Sequence, residues 1–193
     1  MDTDRKWVVV RIDGKIAAIS TDYVALVIIA ARLAQQKSPA YEKITAETVK
    51  FAEVWNIRKT ALWDDFILFG TEFQKKVWRR LFELTHEEDG SPKTPSLISY
   101  SDFADLCQNK AGVRAVAHAI GLNPVAVAIP CHLVIPKESI DYIKGVQKKA
   151  ESTIFKGDDI SMEKLLQDKG IDFGEYALGR KLKRLLIQKE LSE

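Results

Sequence analysis

The chain is poor in several things that would have fixed its class at once. It has only two cysteines, Cys107 and Cys131, in 193 residues, too few for the disulfide framework of a small secreted domain. Each cysteine is therefore read separately. Its longest purely apolar run, Val24 to Ala31, stops at Arg32, well short of the roughly 20 residues a membrane span needs. No membrane partner is expected. The N-terminus, Met1-Asp2-Thr3-Asp4, is acidic and lacks the basic and apolar regions of a signal peptide, which predicts a cytoplasmic protein, or a nuclear one in a eukaryote. With 29 Lys and Arg against 27 Asp and Glu, the net charge of +2 is far from the strong basic excess that announces nucleic-acid binding. Any DNA site must be a local patch. Three histidines, His86, His118 and His132, and the two cysteines show no paired zinc-ligand spacing, so no metal and no cofactor is expected.

What is present is enough apolar residue, 46%, for a real core. Two apolar runs between Trp7 and Ile19 flank Asp13-Gly14, a strong short hairpin signal. Val24 to Gln36 and Ala46 to Leu62 read as helices, the first so apolar that burial is expected. Residues 1–66 thus read as a small α/β domain without visible chemistry, and residues 67–193 as a second domain.

From Thr71, the apolar residues Phe73, Val77, Leu81 and Leu84 recur at helical spacing with Lys75, Lys76, Arg79 and Arg80 on other faces. A polar stretch around Glu87-Glu88-Asp89-Gly90 with Pro92 and Pro95 reads as an exposed loop. Ser99 or Ser101 can cap the next helix, and Gln108-Asn109-Lys110 ends it. A second short helix, about Val113 to Ile120, closes at Gly121, and the pair fits a helix-turn-helix. Asn123-Pro124 is a turn signal, Val125 to Ile129 a short buried segment, and Pro130-Cys131-His132 its stop. Gly179 to Leu191 reads as a helix with Leu182, Leu185 and Leu186 inward and Arg180, Lys181, Lys183 and Arg184 solvated.

A free cysteine is by itself more often a core residue than a nucleophile. Cys131 differs from Cys107 in its neighbour. A thiol must be ionised to attack, and a histidine oriented by a carboxylate is the usual means. Cys107 has no such companion and reads as core.

The stretch Ile129-Pro130-Cys131-His132-Leu133-Val134 resembles the active-site signature of the O6-alkylguanine-DNA alkyltransferases (methylated-DNA–protein-cysteine methyltransferases). Other motifs follow in that family's order: Gly70 to Trp78, Ile98-Ser99-Tyr100, Val113-Arg114-Ala115-Val116, Asn123-Pro124, and Gly174-Glu175-Tyr176-Ala177-Leu178-Gly179 before a basic-apolar helix. The resemblance covers roughly residues 66–190. It implies a small α/β N-terminal domain and a mainly α, winged-helix-like C-terminal domain with a helix-turn-helix. The activity implied is single-turnover transfer of an alkyl group from O6 of guanine in double-stranded DNA to Cys131 after base flipping, by a monomer.

In that scheme Cys131 is the nucleophile, His132 its base through a water, and Glu190 orients His132. Tyr100 bonds the departing guanine and Asn123 braces the turn. Arg114 enters the base stack, with Tyr100 and Ala115 also at the DNA. Val134, Tyr176 and Ala177 line the guanine pocket, Tyr142 being the alternative wall. Two features depart from the family pattern. Leu133 stands where the family has arginine, which either weakens thiolate stabilisation or relocates a salt link. Residues 136–170 read as an insertion, with Lys144, Lys148 and Lys149 and a helix expected near Ser161 to Gln167. Two other readings stay open: an alkyltransferase-like lesion binder that recruits other factors without chemistry, which Leu133 and the insertion keep alive, and a thiol hydrolase acting without DNA.

Overall fold

The computed structural model describes residues 5–21, 24–34, 41–87, 89–152 and 171–192. They form two compact units, one of residues 1–94 with 115–131 and the other of 95–114 with 132–193. Together they combine small sheets with helices, an α/β fold.

In the first unit, strands β1 (Trp7–Ile12) and β2 (Lys15–Thr21) make the predicted hairpin. Asp13 and Gly14 both take positive φ, 49° and 84°, the combination a two-residue turn needs to match strand twist. Strand β3 (Ile44–Val49) pairs antiparallel with the other edge of β1, giving the order β2-β1-β3. This corrects the helix expected from Ala46. The β-branched residues Ile44, Thr45, Thr48 and Val49 suit a pleated edge, and β1 supplies the ladder that local spacing cannot reveal. Helix α2 therefore starts only at Phe51 and runs to Thr60, with the Glu53 carboxylate accepting from the Lys50 amide at 3.1 Å.

Helix α1 (Val24–Ala34) lies on this sheet and packs Ile29, with Leu33, against Val8, Val10, Ala17 and Ala18. The expectation of a buried helix does not hold: Val24, Leu26 and Val27 are exposed, Val27 by 56%. A helix on one sheet face buries one stripe, whatever its other faces carry.

Helix α3 (Glu72–Phe82) opens on a capping box in which Thr71 Oγ1 accepts from Gln74 N at 3.2 Å and Gln74 Oε1 from Thr71 N at 2.9 Å. It buries Val77, Trp78, Leu81 and Phe82. Trp78 Nε1 donates to the Ala119 carbonyl at 2.8 Å, tying α3 to helix α5 (Val113–Gly121). The β2 edge is itself covered, Ala126 N donating to Ile19 O at 2.9 Å.

In the second unit, β4 (Ile98–Ser99) and β5 (Val134–Ile135) pair in parallel. Ser99, not Ser101, caps α4 (Tyr100–Leu106), its Oγ accepting from Asp102 N at 3.0 Å. The expected insertion begins as helix α6 (Lys137–Ser152). Its Ile140 and Ile143 join Ile135, Ile171, Phe173 and Ile187 in one buried cluster. The helix expected near Ser161 to Gln167 lies outside the described residues. The last helix, α7, runs from Arg180 to Ser192. No helix among the described residues is long and apolar enough to cross a membrane.

Candidate active site

The chain passes from the first unit to the second at the peptide bond Cys131–His132, so the predicted site residues fall into two groups. Asn123, Cys131 and Ala115 belong to the first; Tyr100, Arg114, His132, Val134, Tyr176, Ala177 and Glu190 belong to the second.

In the first unit, residues 125–130 are buried and bent rather than extended, Val127 taking φ 71°. Asn123 holds this bend. Its Oδ1 accepts from Val125 N at 3.0 Å, and its Nδ2 donates to Ile129 O at 2.9 Å and to Cys131 Sγ at 3.2 Å. A side-chain amide can do this because it carries an acceptor and two donors in one plane. Cys131 is buried and opens a one-turn 3-10 helix, Cys131–Leu133. Cys107 is buried as well, as a core residue.

In the second unit, His132 is fully buried and Glu190 is 4% exposed, with Nε2 and Oε1 3.0 Å apart. Burying both groups disfavours a lone charge and makes their mutual contact necessary. The spacing along α7 explains the placement. Lys183, Leu186, Ile187 and Glu190 fall on one helical stripe, and all four are buried.

Lys183 is the residue that sequence reasoning misplaced. Assigned to a solvated face, it is 1% exposed; its Nζ donates to Val134 O at 2.8 Å and approaches Glu175 O at 3.4 Å. The same ammonium stands 5.6 Å from the centroid of the Tyr100 ring, within cation–π range. The signal was its position three and four residues before Leu186 and Ile187, on their stripe rather than opposite it.

Val134 is buried in β5, Tyr176 is half-buried, and Ala177 is exposed in the turn before α7. Tyr142, the alternative pocket wall, is 45% exposed on α6. Leu133 is fully buried. Arg114 and Ala115 are exposed near the start of α5, whose opposite side buries Val116, Ala119 and Ile120. Among the described residues, no group of three or more His, Cys, Asp or Glu is arranged to hold a metal ion.

Residues 72–153 match the family model described as 6-O-methylguanine DNA methyltransferase, DNA binding domain. The chain is 42% identical over 86 residues to a probable methylated-DNA–protein-cysteine methyltransferase of Acanthamoeba polyphaga mimivirus, covering 44% of this chain and 52% of that one. It is 47% identical over 68 residues to the inducible methylated-DNA–protein-cysteine methyltransferase of Bacillus subtilis, 35% of this chain and 34% of the relative. The matched stretch thus spans from about half to a third of these relatives' length. In fold, the chain is similar to the O6-methylguanine-DNA methyltransferase of Pyrococcus kodakaraensis, with TM-score 0.58 at 19% identity over 98% of this chain and 95% of that one. It is also similar to Mycobacterium tuberculosis OGT crystallised in complex with DNA, with TM-score 0.51 at 19% identity over 95% and 85% of the two chains. Through residues 72–153, the chain is similar to the DNA-binding domain of the 6-O-methylguanine DNA methyltransferase family.

Proposed function

We propose that this protein repairs double-stranded DNA by taking the alkyl group of O6-alkylguanine onto Cys131, once per molecule. The observation that carries the reading is the buried pair His132 Nε2 to Glu190 Oε1 at 3.0 Å, immediately after the cysteine in the chain. With Nε2 turned to the carboxylate, Nδ1 is the basic nitrogen of that tautomer. His132 takes the thiol proton through a water, and Glu190 stabilises the imidazolium formed. The thiolate attacks the alkyl carbon, the carbon–O6 bond breaks, and its electrons return to the guanine, which Tyr100 stabilises by a hydrogen bond at N3. The thioether has no easy leaving route, so turnover stops.

The target base must leave the stack, at a cost of a few kcal/mol. Helices α4 and α5 act as a helix-turn-helix of a winged-helix-like domain covering residues 67–193, which follows an α/β domain of residues 1–66 in the chain. Arg114 fills the vacated stack, Ala115 lets α5 approach the duplex, and Tyr100 turns the nucleotide outward. Val134, Tyr176 and Ala177 line the guanine pocket, and Asn123 positions Cys131. The protein works as a monomer without a cofactor, in the cytoplasm, or in the nucleus of a eukaryote.

The deciding experiment is intact mass before and after incubation with a duplex carrying O6-methylguanine. One added methyl per chain, mapped to Cys131, is expected. An unmodified protein that still binds the lesion tightly would favour the non-enzymatic lesion binder instead.

A further inference from the structure

The pocket residues Tyr176 and Ala177 sit in a short turn between two glycines in the left-handed region, Gly174 at φ 75° and Gly179 at φ 98°. Such angles are open to glycine and costly to other residues. Gly174 is constrained twice, because a Cβ there would stand 3.3 Å from Pro136 Cδ. Inside the turn, Gly179 N donates to Tyr176 O at 2.9 Å. Gly174 N in turn donates to Asp172 Oδ1 at 2.9 Å. Across the turn, Glu175 Oε1 accepts from Arg180 Nε at 3.0 Å and also from Arg180 Nη2, and Lys183 Nζ approaches Glu175 O at 3.4 Å. Glu175 precedes Tyr176 and Arg180 follows Gly179, so the pair ties the two ends of the segment that carries the pocket wall. The hydrogen bond and charge of the Arg180 guanidinium hold the Glu175 carboxyl below the usual carboxylate range.

We propose that the Glu175–Arg180 ion pair is a specificity determinant, a latch across the Tyr176–Gly179 turn that limits the size of O6-alkyl group the guanine pocket admits. The proposal rests on the alkyltransferase reading above. A methyl adduct leaves the turn in place. A bulky adduct such as benzyl displaces Tyr176 and must part the ends that the pair ties together. Both partners are largely exposed, with side-chain accessibilities of 63% for Arg180 and 79% for Glu175. A pair so exposed is weakened by salt, so discrimination against bulky adducts falls as ionic strength rises.

The test uses the full chain and two duplexes identical except for O6-methylguanine or O6-benzylguanine, and reads the ratio of single-turnover rates. Terms common to both duplexes, including general DNA affinity, cancel in that ratio. Glu175→Gln and Arg180→Gln are each expected to raise the benzyl-to-methyl ratio roughly two- to fivefold, the scale of an exposed pair. The exchanged double variant Glu175→Arg with Arg180→Glu is expected to restore the wild-type ratio, and salt near 1 M to raise the ratio in wild type and in the exchanged variant but not in the single variants. A ratio unchanged by both single variants and by salt overturns the latch while leaving alkyl transfer standing. Wild-type protein that takes an alkyl group from neither duplex overturns the alkyltransferase reading, and the latch with it.

Discussion

Lys183 and Val134 are joined by a buried hydrogen bond, the ammonium Nζ donating to the backbone carbonyl at 2.8 Å. The contact links the last helix to the strand that follows the Cys-His pair in the chain. It also places a cation 5.6 Å from the centre of the Tyr100 ring. Replacing Lys183 by Met keeps most of the aliphatic stem and removes the donor, leaving Val134 O without this partner. A loss of about 1–3 kcal/mol is expected. Chemical denaturation checks it, and a variant as stable as wild type would show that the buried ammonium is neutral to folding. The rate of alkyl transfer should fall with it, because Val134 and Tyr100 both belong to the proposed pocket.

Cys131→Ala is expected to abolish alkyl transfer while leaving duplex affinity within about twofold, since phosphate contacts dominate such binding. Intact mass and fluorescence anisotropy measure the two effects separately. Methyl uptake by the variant would remove Cys131 from the mechanism.

His132→Ala and Glu190→Gln act on one buried pair. The first should slow single-turnover transfer by roughly 10²-fold or more, the scale for losing a positioned base. The second should slow it less, because the imidazole remains and only its orientation and charge support are weakened. Rates equal to wild type in both would show that the pair is structural only.

Arg114→Ala is expected to impair reaction with a duplex lesion far more than reaction with free O6-benzylguanine, which needs no extrusion. Arg114 is exposed at the second position of α5, so its truncation should leave the core intact. Equal losses on both substrates would point to a folding defect rather than a role in the base stack.

Joining Ile135 to Ile171 through a short Gly-Ser linker removes α6 and with it Ile140 and Ile143. Their cluster partners Ile171, Phe173 and Ile187 would then face water. Each buried apolar side chain of this size is worth about 1.5–3 kcal/mol, so the shortened protein should be several kcal/mol less stable. A melting temperature unchanged by the deletion would mean that α6 is a dispensable excursion. The milder variant Ile140→Ala should cost roughly 2–5 kcal/mol.

The sequence by itself determined the elements whose signals are local. Asp13-Gly14 set the hairpin turn because only residues that tolerate positive φ fit there. The helical spacing from Thr71 set α3, and a serine cap the start of α4, while only the structure chose Ser99 over Ser101. The ordered motifs from Gly70 to Gly179 carried the resemblance to the alkyltransferases. Tertiary structure decided whatever depends on which side chain meets which across long stretches of chain. Thr48 and Val49 became strand because β1 offered an edge, and α1 kept Val27 in water because one sheet face covers one helix stripe. Lys183 was buried because α7 turned the stripe it shares with Leu186, Ile187 and Glu190 toward Val134 and His132. Helical periodicity places residues on a common face, but only packing decides what that face meets, and a charged group is tolerated there when the fold brings it a partner.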